Sequence, residues 1–130
     1  MSIKFKVWHK EDNQMIDWFT LTQNAWNTFR GDKPLSLIYD VLVTRKEEFE
    51  ALLFTSFVDD NGKEIYVGDF FNGVGGDSGI KYFEVKYDHG EIVVHNNIGK
   101  WGSLKRFFEF ARDYDIKIEV MGNIYEDTKP

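Results

Sequence analysis

Residues 57–71 read FVDDNGKEIYVGDFF and place two turn signals inside a run of apolar, strand-forming residues. The Asn61-Gly62 step is the strongest short-range hairpin signal in the chain, because both residue types accept the positive φ angles of a type I′ turn. Seven residues beyond Asn61, the Gly68-Asp69 step predicts a bend into the next strand. The stretch therefore predicts a hairpin and a bend, as expected where a small antiparallel sheet curls.

Carboxylates in the same stretch raise the question of chemistry. A calcium loop of the EF-hand type fails, because placing Gly62 at its invariant sixth position puts Phe57 first, where a ligand is required. A catalytic pair would consist of Glu64 and Asp69, which lie on opposite faces of any regular strand and meet only if the chain bends at Gly68. A hairpin with solvated carboxylates is the favoured interpretation.

The sequence on either side predicts more strands and a helix. Ser103 is a suitable N-cap for an amphipathic helix over about residues 103–114, with an apolar stripe at helical spacing. Strands are predicted for 3–8, 15–19, 37–43, 80–87, 91–96 and 116–120, loops for 20–36 and 72–79, a turn for 88–90, and a short helical turn near 45–49 followed by a strand.

The predicted fold class is mainly β, a small barrel or a strongly bent antiparallel sheet, with one amphipathic helix near the C-terminus. Residues 1–130 are read as one domain, divisible into an N-terminal subregion 1–50 and a barrel-like subregion 51–130. This organisation follows from the concentration of hairpin signals after residue 50.

Composition restricts the function classes. The chain has 130 residues and an unusually high aromatic content of 12 Phe, 6 Tyr and 4 Trp, more than one small core needs. The net charge is −6, and residues 1–65 and 66–130 each carry 8 basic and 11 acidic side chains. Such uniform negative charge disfavours binding of double-stranded nucleic acid. The lack of cysteine excludes disulfides, thiolate metal sites and thiol nucleophiles.

The histidines are the first alternative to a structural interpretation. His89 and His95 approach each other if they face across the 80–96 hairpin, and would then form a metal site. The favoured interpretation is a turn residue at His89 and an exposed strand position at His95. A metal-dependent hydrolase using these histidines, or Glu64 and Asp69, is the hypothesis ranked last.

Two short motifs are rejected. Residues 76–79, GDSG, match the nucleophile segment of chymotrypsin-like proteases, with Ser78 as the nucleophile, but Ile80 stands where that family has Gly and the chain is too short for its double barrel. The preceding GVGG lacks the Gly-Lys-Ser/Thr of a phosphate loop. The sequence therefore predicts no catalytic residue, no metal and no cofactor.

A surface for a partner is the second alternative. The cationic and aromatic side chains that suggest such a surface are Lys81, Tyr82, Lys86, Tyr87, Lys100, Trp101, Lys105 and Arg106. Small β-barrels stack single-stranded bases on such aromatics over a cationic surface. Against this, alternate aromatics are ordinarily core residues, and the chain is acidic overall.

Three segments carry a family resemblance: IKFKVWHKEDNQMI at 3–16, DDNGKEIYVGDF at 59–70 and VMGNIYED at 120–127. Their order and spacing resemble the YopX family of phage and prophage proteins. One departure is at Ser56, where the family has the Gly that shapes a bend. The resemblance implies a compact, mostly β protein of phage or prophage origin, working in the bacterial host cytoplasm. It implies no established activity and no catalytic residues.

Three functions follow as hypotheses. The first is a non-enzymatic accessory protein that binds a host or phage protein, or itself. The alternative is a small β-barrel that binds single-stranded nucleic acid, and the last is the metal-dependent hydrolase. No apolar run approaches membrane-spanning length and the N-terminal residues lack the apolar core of a signal peptide, so no membrane association is expected.

Overall fold

The computed structural model describes residues 4–21, 46–73 and 78–127. The chain divides into two compact units, Met1–Phe54 and Thr55–Pro130. It is mainly β, with an amphipathic α-helix near the C-terminus, which confirms the predicted fold class. Within the described ranges, no helix combines the length and the apolar character needed to cross a membrane.

The first unit is built on three antiparallel strands. Strand β1 (Phe5–His9) lies between β2 (Gln14–Ile16) and the first part of β3 (Phe49–Val58). The register places His9 opposite both Gln14 and Phe49. A single 3₁₀ turn, Lys46–Glu48, leads directly into β3, which confirms the predicted helical turn followed by a strand.

The predicted strand over 15–19 is only partly correct. Strand β2 ends at Ile16, and residues 18–21 are helical. The cause is Asp17, whose carboxylate accepts a hydrogen bond from the Thr20 backbone N–H at 2.7 Å and so begins the helix as a cap. That hydrogen bond and a second from the Thr20 hydroxyl lower the pKa of Asp17. The rest of the predicted 20–36 loop and the predicted 37–43 strand lie outside the described residues.

The second unit contains the end of β3, the short strand β4 (Glu64–Tyr66) and a five-stranded antiparallel sheet. The strand order in that sheet is β8-β7-β6-β5-β9. Its members are β5 (Asp69–Asn72), β6 (Tyr82–Asp88), β7 (Glu91–Asn96), β8 (Lys100–Ser103) and β9 (Val120–Asn123). Strand β8 therefore forms one edge of the sheet.

Helix α1 (Leu104–Asp113), predicted over about residues 103–114, follows β8 without a loop. The Ser103 hydroxyl accepts a hydrogen bond from the Arg106 backbone N–H at 3.1 Å, which satisfies one of the free donors at the helix start. The apolar stripe is buried in the core of the unit. Its buried members are Leu104, Phe107 and Ala111, packed with Ile65, Phe71, Phe83, Val85, Val94 and Ile118.

The type I′ turn is present, but at the other hairpin. His89 and Gly90 have φ angles of 50° and 82°, and Asp88 pairs with Glu91, as a two-residue type I′ turn requires. At the first hairpin only Gly62 has a positive φ, of 82°, so the prediction of a type I′ turn at Asn61-Gly62 is wrong.

The predicted strand over 116–120 is also wrong in most of its length, because β9 begins only at Val120. Instead of a neighbouring strand, the Ile118 backbone contacts Asp60: its N–H donates to the Asp60 carboxylate, and its carbonyl accepts from the Asp60 N–H at 3.0 Å. Alternating hydrophobicity correctly indicated that Ile118 is buried. It could not indicate that a turn, and not a strand, satisfies the backbone.

Ser56 gives a first testable prediction, since it lies in β3 with a φ of 71°, in the left-handed region that disfavours a side chain. Glycine at this position relieves about 1–2 kcal/mol of steric cost, and the larger entropy of glycine in the unfolded chain takes back about 0.5–1 kcal/mol. We expect Ser56→Gly to stabilise the protein by about 0.5–1 kcal/mol in urea unfolding. Ser56→Ala is the control and should give no such gain; equal stabilisation by both variants would contradict a backbone origin.

Candidate functional site

Asp59 organises the first hairpin through its carboxylate, which is 5% exposed. One oxygen accepts the backbone N–H groups of Asn61 at 2.9 Å and Lys63 at 2.8 Å, and the other accepts the Val120 N–H at 2.9 Å. Burial raises its pKa, but the hydrogen bonds from Val120, Lys63 and Asn61 and the positive charge of Lys63 outweigh burial, so the pKa lies below the ordinary value. The Asp59 carboxylate therefore links the turn at 59–63 to the start of β9 through hydrogen bonds.

Glu64 and Asp69, the predicted candidates for a catalytic pair, both contact Tyr66. Asp69 is 2% exposed and accepts the Tyr66 backbone N–H at 2.8 Å, while Glu64 accepts the Tyr66 hydroxyl at 3.1 Å. Gly68, with a φ of 100°, makes the predicted bend between β4 and β5. The bend lets the Asp69 carboxylate turn back onto its own hairpin, so both carboxylates have structural partners.

The C-terminal part of the motif, GNIYED, is a second turn of the same type. The Asn123 side-chain oxygen accepts the N–H groups of Tyr125 at 3.0 Å and Glu126 at 2.9 Å, and the Ile124 N–H donates to the Gly68 carbonyl at 2.9 Å. Asp69 and Asn123 are paired across β5 and β9. The GNIYED segment therefore lies beside the Gly68-Asp69 bend.

His89 and His95 are not brought together. His89 lies in the turn with its side chain 95% exposed and contacts the neighbouring Asp88 carboxylate, whereas His95 pairs with Glu84 near the opposite end of the hairpin. Six residues of extended strand correspond to about 20 Å. The hypothesis that these histidines share a metal ion across the hairpin is therefore wrong.

Trp101, Lys105 and Arg106 do converge, on a surface groove of about 570 Å³ beside helix α1. We call this the aromatic groove. Its lining residues are Trp101, Ser103, Lys105, Arg106, Glu109, Phe110, Asp113 and Tyr114. It is the one place in the described chain where three of the residues singled out from the sequence meet.

A ladder of three aromatic rings forms the apolar part of the aromatic groove. The ring centroids of Trp101 and Phe110 are 5.3 Å apart, and those of Phe110 and Tyr114 are 4.9 Å apart. Trp101 also meets the buried Phe107 edge-on at 5.5 Å, which anchors the ladder to the core. Tyr114 is 70% exposed. The groove thus offers a firmly held ring at one end and an accessible ring at the other.

Phe110 and Tyr114 were not predicted as functional residues. The signal for them is a second stripe on the helix, since Arg106, Phe110 and Tyr114 follow one another at intervals of four residues. It is weaker than the core stripe because it mixes cationic and aromatic side chains. Only the position of Trp101 on the preceding strand shows that this second stripe has a partner.

The charges around the aromatic groove balance. Lys105 and Arg106 are opposed by Glu109 and Asp113, all on helix α1. A second groove of about 710 Å³ runs along the other side of the helix and is equally mixed, with Lys105, Arg112 and Lys117 against Asp60, Glu109 and Asp115. Neither groove presents the uniformly cationic surface that tracks a phosphate backbone.

Comparison with protein-family models gives a match over nearly the whole chain. The sequence model of a family described as YopX protein matches residues 4–129. The match covers the segments 59–70 and 120–127 and all but the first residue of 3–16. No curated protein matches the chain.

Proposed function

The chain belongs to the YopX family, and on that premise we propose that it is a phage- or prophage-encoded accessory protein that binds a segment of another protein, without catalysis, in the bacterial host cytoplasm. The observation that carries the proposal is the aromatic groove. It combines three rings, one of them 70% exposed, with two cations and two carboxylates. Aromatic and arginine side chains at a partly buried groove are characteristic of protein-binding surfaces.

The mixed charge favours a peptide over a nucleic acid. A single nucleic-acid strand is uniformly anionic. Within the aromatic groove, Lys105 and Arg106 would attract its phosphates, but Glu109 and Asp113 would repel them. A peptide that carries an aromatic or long aliphatic side chain, flanked by residues of both charges, can pair with all four charged side chains of the groove. We therefore infer a protein segment of that composition as the ligand.

The edge strand supports the same class of ligand. Strand β8 carries Trp101 and, in the described residues, is the last strand of its sheet. An extended peptide can add to such an edge through backbone hydrogen bonds while its side chains contact the adjacent groove. Nucleic acid has no equivalent way to use a strand edge.

A non-enzymatic role is supported by the hydrogen bonds that the carboxylates of the family motif already accept. Asp59, Asp60 and Asp69 all accept hydrogen bonds from backbone N–H groups. A general base needs a lone pair directed at substrate, and these carboxylates direct theirs at turns. The family motif accordingly acts in folding, and the binding surface lies elsewhere in the same unit.

The test is affinity capture from a lysogenic bacterial lysate with wild-type protein and two matched variants. The groove variant carries Lys105→Glu and Tyr114→Ser. The control carries Lys81→Glu and Tyr87→Ser, the same chemical changes at exposed positions outside the groove. We expect the groove variant to lose at least about tenfold in affinity for the captured protein, a loss of about 1.4 kcal/mol, while the control binds as the wild type does.

Equal capture by all three proteins would contradict the proposal, as would a strict monomer that captures nothing. Labelled single-stranded DNA and RNA are tested in parallel at low and high salt. A shift that weakens with salt and disappears in the groove variant would replace the peptide with the nucleic-acid alternative.

A further inference from the structure

His9 has an unusual environment in the first unit. Its side chain is 12% exposed, and its Nε2 atom is buried with no hydrogen-bond partner. It is the one side-chain nitrogen or oxygen in the described residues of which this is true. A buried polar atom without a partner is costly, so native proteins ordinarily satisfy it with another group, a water molecule or an ion.

The partner of the other ring nitrogen fixes the tautomer of His9. Nδ1 lies 3.0 Å from the Asp12 carboxylate, and donating its proton there leaves Nε2 with a free lone pair. The ring is further held by stacking on Phe49, with centroids 4.6 Å apart. A carboxylate on one nitrogen and a free lone pair on the other is how histidine is prepared to ligate a metal ion.

Two further candidate ligand residues, both glutamates, lie close to the His9 ring. The side-chain donor atoms of His9, Glu11 and Glu48 all lie within 4.8 Å of one another. Three ligands around one tetrahedral ion, each about 2.0–2.1 Å from it, are about 3.3 Å apart. Closing the remaining difference requires the side chains of the two glutamates to rotate; Glu11 lies in the turn after β1 and Glu48 at the end of the 3₁₀ turn.

We propose that His9, Glu11 and Glu48 form a binding site for a first-row divalent cation, with Zn²⁺ the preferred ion and Asp12 orienting the histidine. One imidazole and two carboxylates suit Zn²⁺ or Mn²⁺ better than Mg²⁺ or Ca²⁺, which prefer all-oxygen sites. The bound ion would link the turn after β1 to the residues that lead into β3.

This site is independent of the aromatic groove, because all of its residues belong to the first unit. It was not predicted from the sequence, since Glu48 is far from His9 along the chain. The β1–β3 pairing brings them together by placing His9 opposite Phe49, the residue after Glu48. Glu11 and Asp12 come close simply because they follow His9 in the turn.

The test uses the full chain without a histidine tag, stripped with chelator and titrated with Zn²⁺ by calorimetry, with Mg²⁺ and Ca²⁺ for comparison. We expect one Zn²⁺ per chain and little response to Mg²⁺ or Ca²⁺. His9→Gln or Glu48→Gln should lower the Zn²⁺ affinity by at least about 100-fold, and Asp12→Asn by about tenfold. His89→Gln and His95→Gln are matched controls that should leave the affinity unchanged.

No Zn²⁺ uptake by the wild type, or equal uptake by His9→Gln, would overturn the proposal. Loss of uptake in the His89 or His95 variant would overturn it too. If His9→Gln does not fold, the wild type decides by nuclear magnetic resonance. A Zn²⁺-dependent shift of the His9 ring signals, without one at His89, supports the site, and its absence rules the site out.

Discussion

Asp59→Ala is expected to destabilise the protein by about 3 kcal/mol. The substitution removes the acceptor of three backbone N–H groups, those of Asn61, Lys63 and Val120. A hydrogen bond to a charged acceptor contributes about 1.5–3 kcal/mol, but the Asn61 and Lys63 donors lie in an exposed turn and are partly rehydrated when the acceptor is lost. The partly buried Val120 donor at the start of β9 therefore accounts for most of the cost.

Urea unfolding at neutral pH measures this loss. Asp59→Asn retains an acceptor oxygen and should lose only about half as much. Asp113→Ala changes an exposed aspartate at the end of helix α1 and should stay within about 0.5 kcal/mol of the wild type. A loss at Asp59 no larger than the loss at Asp113 would show that the carboxylate is not the centre of the hairpin.

Acid gives an independent readout of the same carboxylate. The pKa of Asp59 is lowered in the folded protein, so the unfolded chain, with an aspartate pKa of about 3.9, takes up the proton first as pH falls. The stability contributed by Asp59 is complete above the unfolded pKa and is lost as pH falls through the folded pKa. We expect the stability of Asp59→Ala to fall less steeply than that of the wild type below about pH 4.

The hairpins show what local sequence can and cannot predict. Both turns were located correctly, because Asn-Gly and Asp-His-Gly steps between apolar runs are local signals. The turn type at Asn61-Gly62 was not predicted, since the Asp59 carboxylate accepts the Asn61 and Lys63 N–H groups and the Asp59 carbonyl accepts the Gly62 N–H. A long-range contact explains the error at 116–119, where the Asp60 carboxylate, and not a neighbouring strand, accepts the Ile118 N–H.

The candidate sites divide in the same way. Trp101, Lys105 and Arg106 could be predicted because β8 and helix α1 are consecutive, so neighbours in sequence remain neighbours in space. His89 and His95 could not be excluded without the register of their hairpin, which places His95 opposite Glu84. The sequence alone also gave no reason to connect His9 with Glu48, which only sheet pairing brings together.

Phe107→Ala should have the largest effect of the proposed substitutions, a destabilisation of about 3–5 kcal/mol. Phe107 is 3% exposed and packs against three rings: Phe71 at 5.6 Å, Phe83 at 4.7 Å and Trp101 at 5.5 Å between centroids. Removal of its ring leaves a cavity between helix α1 and the sheet. The helix and the sheet cannot move together far enough to fill this cavity.

The same substitution should affect the aromatic groove, because Phe107 supports Trp101 from below. Thermal unfolding measures the loss of stability, and tryptophan fluorescence should report a more mobile Trp101 in the variant that remains folded. Phe107→Leu fills much of the cavity and should cost less than half as much. Tyr114→Ala, at the exposed end of the ladder, should leave stability within about 0.5 kcal/mol of the wild type. If Phe107→Ala and Tyr114→Ala were equally mild, the helix would not be anchored through this ring, and the aromatic groove would lose the rigid support that a binding surface requires.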